Sequence, residues 1–186
     1  NIKKFQNYLK KNQIKINSHL CDIADENFAK YNLDTTYDLV YLHGIIQHVK
    51  NPILALMNLS TITSIGSVIW LYFYQTGSPT HIYWEAIRRI IGENVDLEDL
   101  FNVLKKKKVN GKHINMIMDN VGCSYRHLCD YKMYLDTMNK LGFEPIMKKD
   151  VFLNEGKLNL RLTTPACIIC FKKRKNLKHY DISLNK

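Results

Sequence analysis

The sequence predicts an α/β fold with parallel strands. Strand-length apolar segments alternate with amphipathic helical segments, and the linkers between the first strands are long enough for crossovers. The 186 residues fit one domain. The composition is 46% hydrophobic and 24% charged, which is typical of a packed interior and excludes a disordered chain.

The first predicted elements are a short helix and two strands. Residues 2 to 12 place aromatic and leucine side chains three or four positions apart, as in an amphipathic helix. Residues 14 to 21 alternate with the period of a strand that ends on Asp22. Residues 37 to 44, YDLVYLHG, are richer in apolar side chains, and we expect this strand at the centre of its sheet.

A helix and a third strand follow. Asn51 and Pro52 form a helix start, because the asparagine side chain accepts a backbone N–H and the proline costs no helical hydrogen bond. Gly66 falls where a left-handed cap would end this helix. The apolar run SVIWLYFY at residues 67 to 74 then predicts the strand.

Residues 80 to 120 have the spacing of helices. Two apolar faces are separated by Gly92: one carries Tyr83, Ile87, Ile90 and Ile91, and the other carries Leu97, Leu100, Phe101 and Leu104. Asp96 is the predicted cap of the second helix, and lysines 105 to 108 lie in its last turn. Cations there complement the helix dipole, so this lysine run fits a solvated helix end better than a nucleic-acid patch.

The last part of the chain predicts a helix and two closing strands. The helix covers residues 125 to 141 and stops at Gly142, and its inward side chains are Leu128, Tyr131, Leu135 and Met138. The segments EPIMKKDVF, from residue 144, and ACIICFKK, from residue 166, read as strands. The residues between them have turn signals at each end and are compatible with a hairpin arm.

Cysteine usage and hydropathy indicate the compartment. Five scattered cysteines do not form the framework of a small secreted domain, so we expect reduced thiols. Cys167 and Cys170 are three apart on a strand and point to opposite faces, so they do not share a metal, and no metal ligands are predicted. No apolar run is long enough to cross a bilayer and no secretory signal is present, which favours a cytoplasmic chain without membrane contact.

The net charge favours an anionic partner. The chain has 27 basic and 17 acidic residues, a balance of +10, and the excess is concentrated at residues 105 to 108, 148 to 149 and 172 to 179. We expect one domain over residues 1 to 172 and a basic tail over residues 173 to 186. The tail is a candidate contact for nucleic acid.

Four segments in this order resemble class I S-adenosylmethionine-dependent methyltransferases: CDI from residue 21, YDLVYLHGIIQHVKNPILAL from 37, SIGSVIWLYFY from 64 and KLGFEPI from 140. Residues 72 to 90, YFYQTGSPTHIYWEAIRRI, are similar to a subgroup with a glycine-containing loop and a YWE..R helix after the fifth strand. The resemblance implies a Rossmann-like methyltransferase sheet with a helical insert at about residues 76 to 120.

The resemblance also implies site residues at the carboxyl ends of the strands, where open parallel sheets bind ligands. The implied S-adenosylmethionine contacts are an acid for the adenine amino group, an apolar side chain on the ring and the next strand end: Asp22, Ile23, Leu42, His43 and Gly44. A missing side chain at Gly44 lets a ligand approach the backbone. A structural alternative stays open, since a His-Gly pair also forms a tight turn with a hydrogen-bonded histidine.

The remaining candidates concern the methyl acceptor. His43 and His48 are candidate catalytic bases, because imidazole titrates near neutral pH. The candidate substrate contacts just beyond the third strand are Tyr74, Gln75, His81 and Trp84. For the aromatic side chains, core packing is an equal alternative.

One family element is missing. The family carries an acidic-Gly-x-Gly loop that cradles the methionine end of the cofactor, and none of the eight glycines here forms GxG. We therefore expect an N-terminally incomplete methyltransferase sheet, with the missing part removed or supplied by another chain, and weak cofactor binding by this chain alone. The same absence argues against a nicotinamide-dependent oxidoreductase, which needs its own glycine fingerprint.

Two functions stay open on the sequence. The first is S-adenosylmethionine-dependent methyl transfer to a small-molecule or biosynthetic acceptor. The second is a non-catalytic methyltransferase-like fragment or scaffold that binds RNA or a protein partner. Against the second, the chain shows no aromatic-basic repeat of the kind that single-strand binders use.

Overall fold

A computed structural model describes residues 7–8, 10–13, 19–31, 33, 36–75, 79–91, 95–123, 125–154 and 163–176. For residues 79–81, 150–154 and 163–165 it describes the backbone only. In this part of the chain the strands are β1 (Tyr37–His43), β2 (Thr63–Tyr74), β3 (Phe143–Asn154) and β4 (Thr163–Lys173). The helices are α1 (Pro52–Thr61), α2 (Pro79–Ile91), α3 (Leu97–Lys106), α4 (Gly111–Val121) and α5 (Tyr131–Lys140). Phe28–Tyr31 and Ile46–His48 are 3₁₀ turns.

The four strands form one mixed sheet in the order β1-β2-β4-β3. β1 and β2 are parallel, with Leu42 opposite Leu71. β4 runs antiparallel to both of its neighbours. The predicted α/β class is confirmed, but the parallel arrangement holds only for β1 and β2. The predicted hairpin is also present, since β3 and β4 pair as far as Asn154 and Thr163, and residues 155 to 162 lie outside the described part.

The hydrophobic core lies between one face of this sheet and the helices α1 and α5. Ile69, Leu71 and Phe73 of β2 are fully buried in it. Tyr134 of α5 packs edge to face on Phe73, with ring centroids 4.6 Å apart. Removing such side chains from water is the main stabilising contribution to a domain of this size.

Local signals at helix starts are confirmed. Asn51 accepts a hydrogen bond from the backbone N–H of Leu54 at 3.0 Å, with Pro52 at the first helical position. Asp96 accepts from Glu98 and Asp99 at the start of α3, at 2.8 and 3.0 Å. These caps satisfy backbone donors that a helix start otherwise leaves unpaired, which is why sequence alone locates them well.

The first predicted strand is not present where the structure describes it. Residues 19 to 22 have no regular structure, and residues 14 to 18 lie outside the described part. The Asp22 carboxylate accepts the backbone N–H of Ala24 at 2.8 Å, a local turn that competes with strand pairing. β1, expected at the centre, is therefore an edge strand of the described sheet, and its Tyr41 is 57% exposed.

Two boundary predictions are wrong for identifiable reasons. Gly66 does not cap α1 but lies inside β2 with φ +98°, at an irregularity where β2 advances five residues, Thr63 to Val68, against two of β1. The helix predicted over residues 125 to 141 begins only at Tyr131, because Asp130 caps it by accepting the N–H of Lys132 at 3.1 Å. Leu128 therefore precedes the helix.

The inward face of α2 also differs from the apolar pattern. Among the side chains of residues 82 to 91, Trp84 and Arg88 are buried, whereas Tyr83 and Ile90 are 56% and 83% exposed. α2 packs against β4 and α4, and α4 against α3. The helical insert after β2 is confirmed, but a tryptophan and an arginine take the place that the periodicity gave to tyrosine and isoleucine.

Lys173, assigned from the sequence to the tail, is the last residue of β4 and is buried. Its ammonium group donates to the backbone oxygens of Ser60 at 2.7 Å and Thr63 at 2.9 Å. Burial lowers the pKa of this lysine. The contact ties the end of α1 and the start of β2 to the end of β4, while residues 177 to 186 of the tail lie outside the described part.

The strand pairing confirms the predicted arrangement of Cys167 and Cys170. Cys167 pairs with Phe73 and Cys170 with Trp70, so the two thiols lie on opposite faces of β4. All five cysteines lie outside disulfides. Among the described residues, no helix has the length and apolar character needed to cross a membrane.

We expect Lys173→Met to lower the free energy of unfolding by about 2 kcal/mol, because the carbonyl oxygens of Ser60 and Thr63 lose their buried donor. Urea titration followed by circular dichroism measures this change. Lys132→Met, at an exposed position of α5, is the control and should shift the value by less than about 0.5 kcal/mol. Equal effects of the two substitutions would refute the structural role of Lys173.

Candidate functional site

The carboxyl ends of the parallel strands β1 and β2 lie side by side. His43 pairs with Tyr72, and the N–H of Gly44 donates to the Tyr72 oxygen at 3.0 Å, which extends the pairing past β1. Gly44 has φ +65°, and an added Cβ would lie 3.6 Å from Nε2 of Gln47, an ordinary contact. Glycine is therefore required here by the left-handed backbone rather than by lack of space.

Directly after Gly44, the 3₁₀ turn buries polar side chains. Gln47 is fully buried, and neither atom of its side-chain amide has a hydrogen-bond partner among the described residues. His48 contacts the backbone oxygen of Tyr125 through Nδ1 at 3.2 Å, whereas its Nε2 is buried and likewise unpartnered. Buried polar atoms are nearly always paired, so unpaired ones at a strand end mark a candidate ligand site.

The segment before α5 lies against this turn. The N–H of His127 donates to the Gln47 backbone oxygen at 2.8 Å, and Nε2 of His127 is buried without a partner in the described part of the chain. Gln75, just after β2, forms a parallel bridge with Cys129. We call Gln47, His48 and His127 the polar cluster.

Positive charge lies next to the polar cluster. Burial lowers the pKa of Arg126, whose charge interacts with those of Cys123, Glu85 and Tyr74. Arg88 of α2 is buried and also interacts with Cys123. Burial raises the pKa of the Cys123 thiol, and the charge of Asp119 adds to this while the two arginines oppose it.

A row of aromatic rings lies at the ends of β1 and β2, on the face of the sheet that points away from the core. His43 is exposed, and its ring centroid lies 4.5 Å from that of Tyr72 and 5.7 Å from that of Trp70. Tyr41 stacks on Trp70 at 4.4 Å, and Tyr74 meets Tyr72 edge to face at 5.9 Å. The imidazole of His43 is therefore held by aromatic contacts at the rim.

The predicted cofactor residues are only partly brought together. Asp22 is exposed and bonds the N–H of Ala24, while Ile23 packs against the same core that buries Leu42. Asn58 of α1 fixes this segment by donating to the Ile23 oxygen at 2.9 Å. The side chain of Leu42 points into the core, so only its backbone faces the strand end. No hydrogen bond links Asp22 to His43 or Gly44 within the described residues.

The predicted acceptor residues have different environments. Tyr74 and Gln75 are half-buried at the end of β2, beside the polar cluster. Trp84 is buried in α2 with its ring 5.2 Å from Tyr83. His81 lies in α2, but its side chain is outside the described part.

Sequence reasoning missed Gln47, Arg126 and His127. Gln47 lies within the quoted strand-end motif, between Ile46 and His48. The adjacent Arg126 and His127 were assigned to a helix, although two basic residues before the Asp130 cap are a signal for a loop at a site.

Comparison with known proteins gives structural but no sequence relatives. No family model and no curated protein matches the chain. The YcgJ protein of Bacillus subtilis is similar over 92% of this chain and 77% of that one, at 9% identity and a TM-score of 0.53. A putative methyltransferase of Bacillus halodurans is similar over 91% and 77%, at 8% identity and a TM-score of 0.54.

A S-adenosylmethionine-dependent methyltransferase of Anabaena variabilis gives 15% identity and a TM-score of 0.48, over 83% of this chain and 57% of that one. The two Bacillus proteins, with TM-scores of 0.53 and 0.54, support the fold, and at such low identity they concern the fold alone. The chain therefore has a Rossmann-like methyltransferase fold, with a mixed open sheet.

We expect Gln47→Met to raise the free energy of unfolding by about 1 kcal/mol, because it removes two buried polar atoms that lack partners in the described part of the chain. Asn58→Leu is the matched contrast. Its amide donates to the oxygens of Ile23 and Asp25 at 2.9 and 2.8 Å, so its loss should cost about 2 kcal/mol. Urea titration measures both, and destabilisation by Gln47→Met would show that its amide serves folding instead of a ligand.

Asp25 predicts an acid-sensitive segment next to Asp22. Its ion pair with Lys30, the N–H of Asn27 and the Tyr31 hydroxyl lower the pKa of Asp25 from 3.8 to about 2. A lowered carboxyl pKa stabilises the folded state above pH 3.8, and this contribution is lost as the pH falls from 3.8 towards 2.

Asp25→Asn should therefore be less stable than the wild type at neutral pH, with a difference that shrinks below pH 3.8 and disappears near pH 2. Urea midpoints measured along this pH series test the expectation. Lys30→Met should weaken the same pH dependence, since it removes the main partner. A wild-type and variant difference that stays constant with pH would contradict the assignment.

Proposed function

We propose that the protein transfers a methyl group from S-adenosylmethionine to a small-molecule acceptor. The fold of solved methyltransferases supports this reaction class. The observation that carries the proposal is the polar cluster, whose unpaired buried atoms lie where β1 and β2 end. Open α/β sheets bind their ligands at this edge.

The proposed contacts for the adenosine end of the cofactor are Asp22, Ile23, Leu42, His43 and Gly44. Asp22 uses Oδ1 for the Ala24 N–H, which leaves Oδ2 for an adenine amino group. Ile23 is half-buried beside it and offers an apolar surface to the ring. Gly44 and the backbone of Leu42 border the same edge. The methionine end would need the glycine-rich loop that this sequence lacks.

Bound S-adenosylmethionine would supply an electrophilic methyl group, so the protein's main task is to align the acceptor with it. His43 and His48 are the proposed bases for acceptors that must lose a proton. Arg88 and Arg126 near the polar cluster favour an acceptor with an anionic group. Tyr74, Gln75, His81 and Trp84 remain proposed acceptor contacts.

Isothermal titration with S-adenosylhomocysteine tests the cofactor site. The wild-type chain is compared with two variants. We expect saturable binding by the wild type, and Asp22→Asn should weaken it about tenfold, the cost of one charge-assisted hydrogen bond. Asp38→Asn is the control, because Asp38 is equally exposed but lies at the opposite end of β1. It should leave the affinity unchanged.

Absence of saturable binding by the wild-type chain would refute the proposal. The alternative, a methyltransferase-like scaffold that binds RNA or a protein, would then be tested by RNA affinity and its loss with rising salt. Three further expectations stay predictions. They are contact of nucleic acid with the basic tail, completion of the sheet by another segment or chain, and a cytoplasmic location.

A further inference from the structure

Three ligand types for a transition metal meet beside the polar cluster. A ring nitrogen of His48, a carboxylate oxygen of Asp119 and Sγ of Cys123 all lie within 4.8 Å of one another. They come from two separate elements, since His48 ends the turn after β1 and the other two residues lie at the end of α4. No sequence motif joins them.

The environment of His48 prepares it for metal binding. The Tyr125 carbonyl lies 3.2 Å from Nδ1 and holds the proton there, which leaves a lone pair on Nε2. That nitrogen is buried and has no hydrogen-bond partner among the described residues. Metal-binding histidines usually have this arrangement, in which a carbonyl fixes the tautomer and orients the ring.

The other two ligands are spaced by one helical turn. Cys123 follows the end of α4, and its thiol donates to the backbone oxygen of Asp119. This contact holds Sγ on the side of the helix that carries the Asp119 side chain. Asp119 is exposed and Cys123 half-buried, so an ion reaches the cluster from solvent.

We infer that His48, Asp119 and Cys123 form a zinc site with one open coordination position. Nitrogen, thiolate and carboxylate together select Zn²⁺ over Mg²⁺ or Ca²⁺, which prefer oxygen ligands. Tetrahedral zinc at its usual bond lengths holds ligand atoms about 3.3 to 3.7 Å apart. The three ligand atoms lie within 4.8 Å of one another, so each pair closes by about 1.5 Å or less.

The charges around the cluster are compatible with this ion. Zn²⁺ with a thiolate, a carboxylate and a neutral imidazole carries no net charge, and the thiol proton is released on binding. Arg88 and Arg126 interact with the same thiol and Glu85 interacts with Arg126, so charges of both signs act on the cluster.

The metal would join the helical insert to the strand ends. Asp119 and Cys123 belong to the end of the insert, whereas His48 belongs to the turn that borders the proposed methyl-transfer site. Zinc binding assigns His48 to the ion and leaves His43 as the candidate base. The inference itself does not depend on the proposed reaction, because the metal site needs neither cofactor nor acceptor.

The test is metal titration of the metal-free chain. We expect one equivalent of Zn²⁺ to bind and to raise the melting temperature. Co²⁺ in its place should give the charge-transfer band of a thiolate ligand and the visible bands of tetrahedral cobalt. His48→Gln and Cys123→Ser should each lower the affinity for Zn²⁺ by more than about 100-fold. This is a larger loss than the change of a residue that only supports a ligand would cause.

Matched controls separate binding from folding. Cys21→Ser and His113→Gln replace the same residue types outside the cluster and should bind Zn²⁺ as the wild type does. Asp119→Asn keeps the size of the side chain but removes its charge. It should weaken Zn²⁺ binding while the far-ultraviolet circular dichroism spectrum stays that of the wild type. The inference is overturned if no equivalent of Zn²⁺ binds, if cobalt lacks the thiolate band, or if the controls weaken binding as much as the cluster variants.

Discussion

The structure depends on β2, whose two edges carry different kinds of pairing. One edge pairs parallel with β1 and the other antiparallel with β4. Its side chains Ile69, Leu71 and Phe73 are fully buried, so the strand is also the centre of the core. Parallel pairing brings the carboxyl ends of β1 and β2 to one edge, and β4 runs the other way, so among the described strands only these two end there. The candidate site follows from this geometry.

At the same edge, buried polar atoms lower the stability of the fold. Gly44 adopts a left-handed backbone, and the turn that follows buries Gln47 and His48 with atoms that have no partner in the described part of the chain. Two other polar side chains in the described part are paired: Lys173 donates to two backbone oxygens, and the half-buried Asn58 donates to two more. Unpaired groups cost stability, so their concentration at a strand end is evidence for a ligand site.

The sequence predicted those elements that local interactions determine. Asn51 and Asp96 cap their helices through neighbouring N–H groups, and the apolar runs of β1 and β2 need no partner to be recognised. Gly66 was misplaced because a glycine with positive φ serves a helix end and a strand irregularity equally well. His127 and Cys123, which other elements contribute to the site, could not be predicted from the sequence, because only tertiary packing brings them to the turn that carries His48.

The buried face of α2 also could not be predicted from the sequence. Hydrophobic periodicity places isoleucine and tyrosine inward, yet the structure buries Trp84 and Arg88 and leaves Ile90 in solvent. Burying a guanidinium is costly unless charges or ligands compensate it. Arg88 interacts with Cys123, which lies next to His48 of the polar cluster, so α2 brings a buried cation to the side of the candidate site. The departure from the pattern is therefore itself a sign of where function lies.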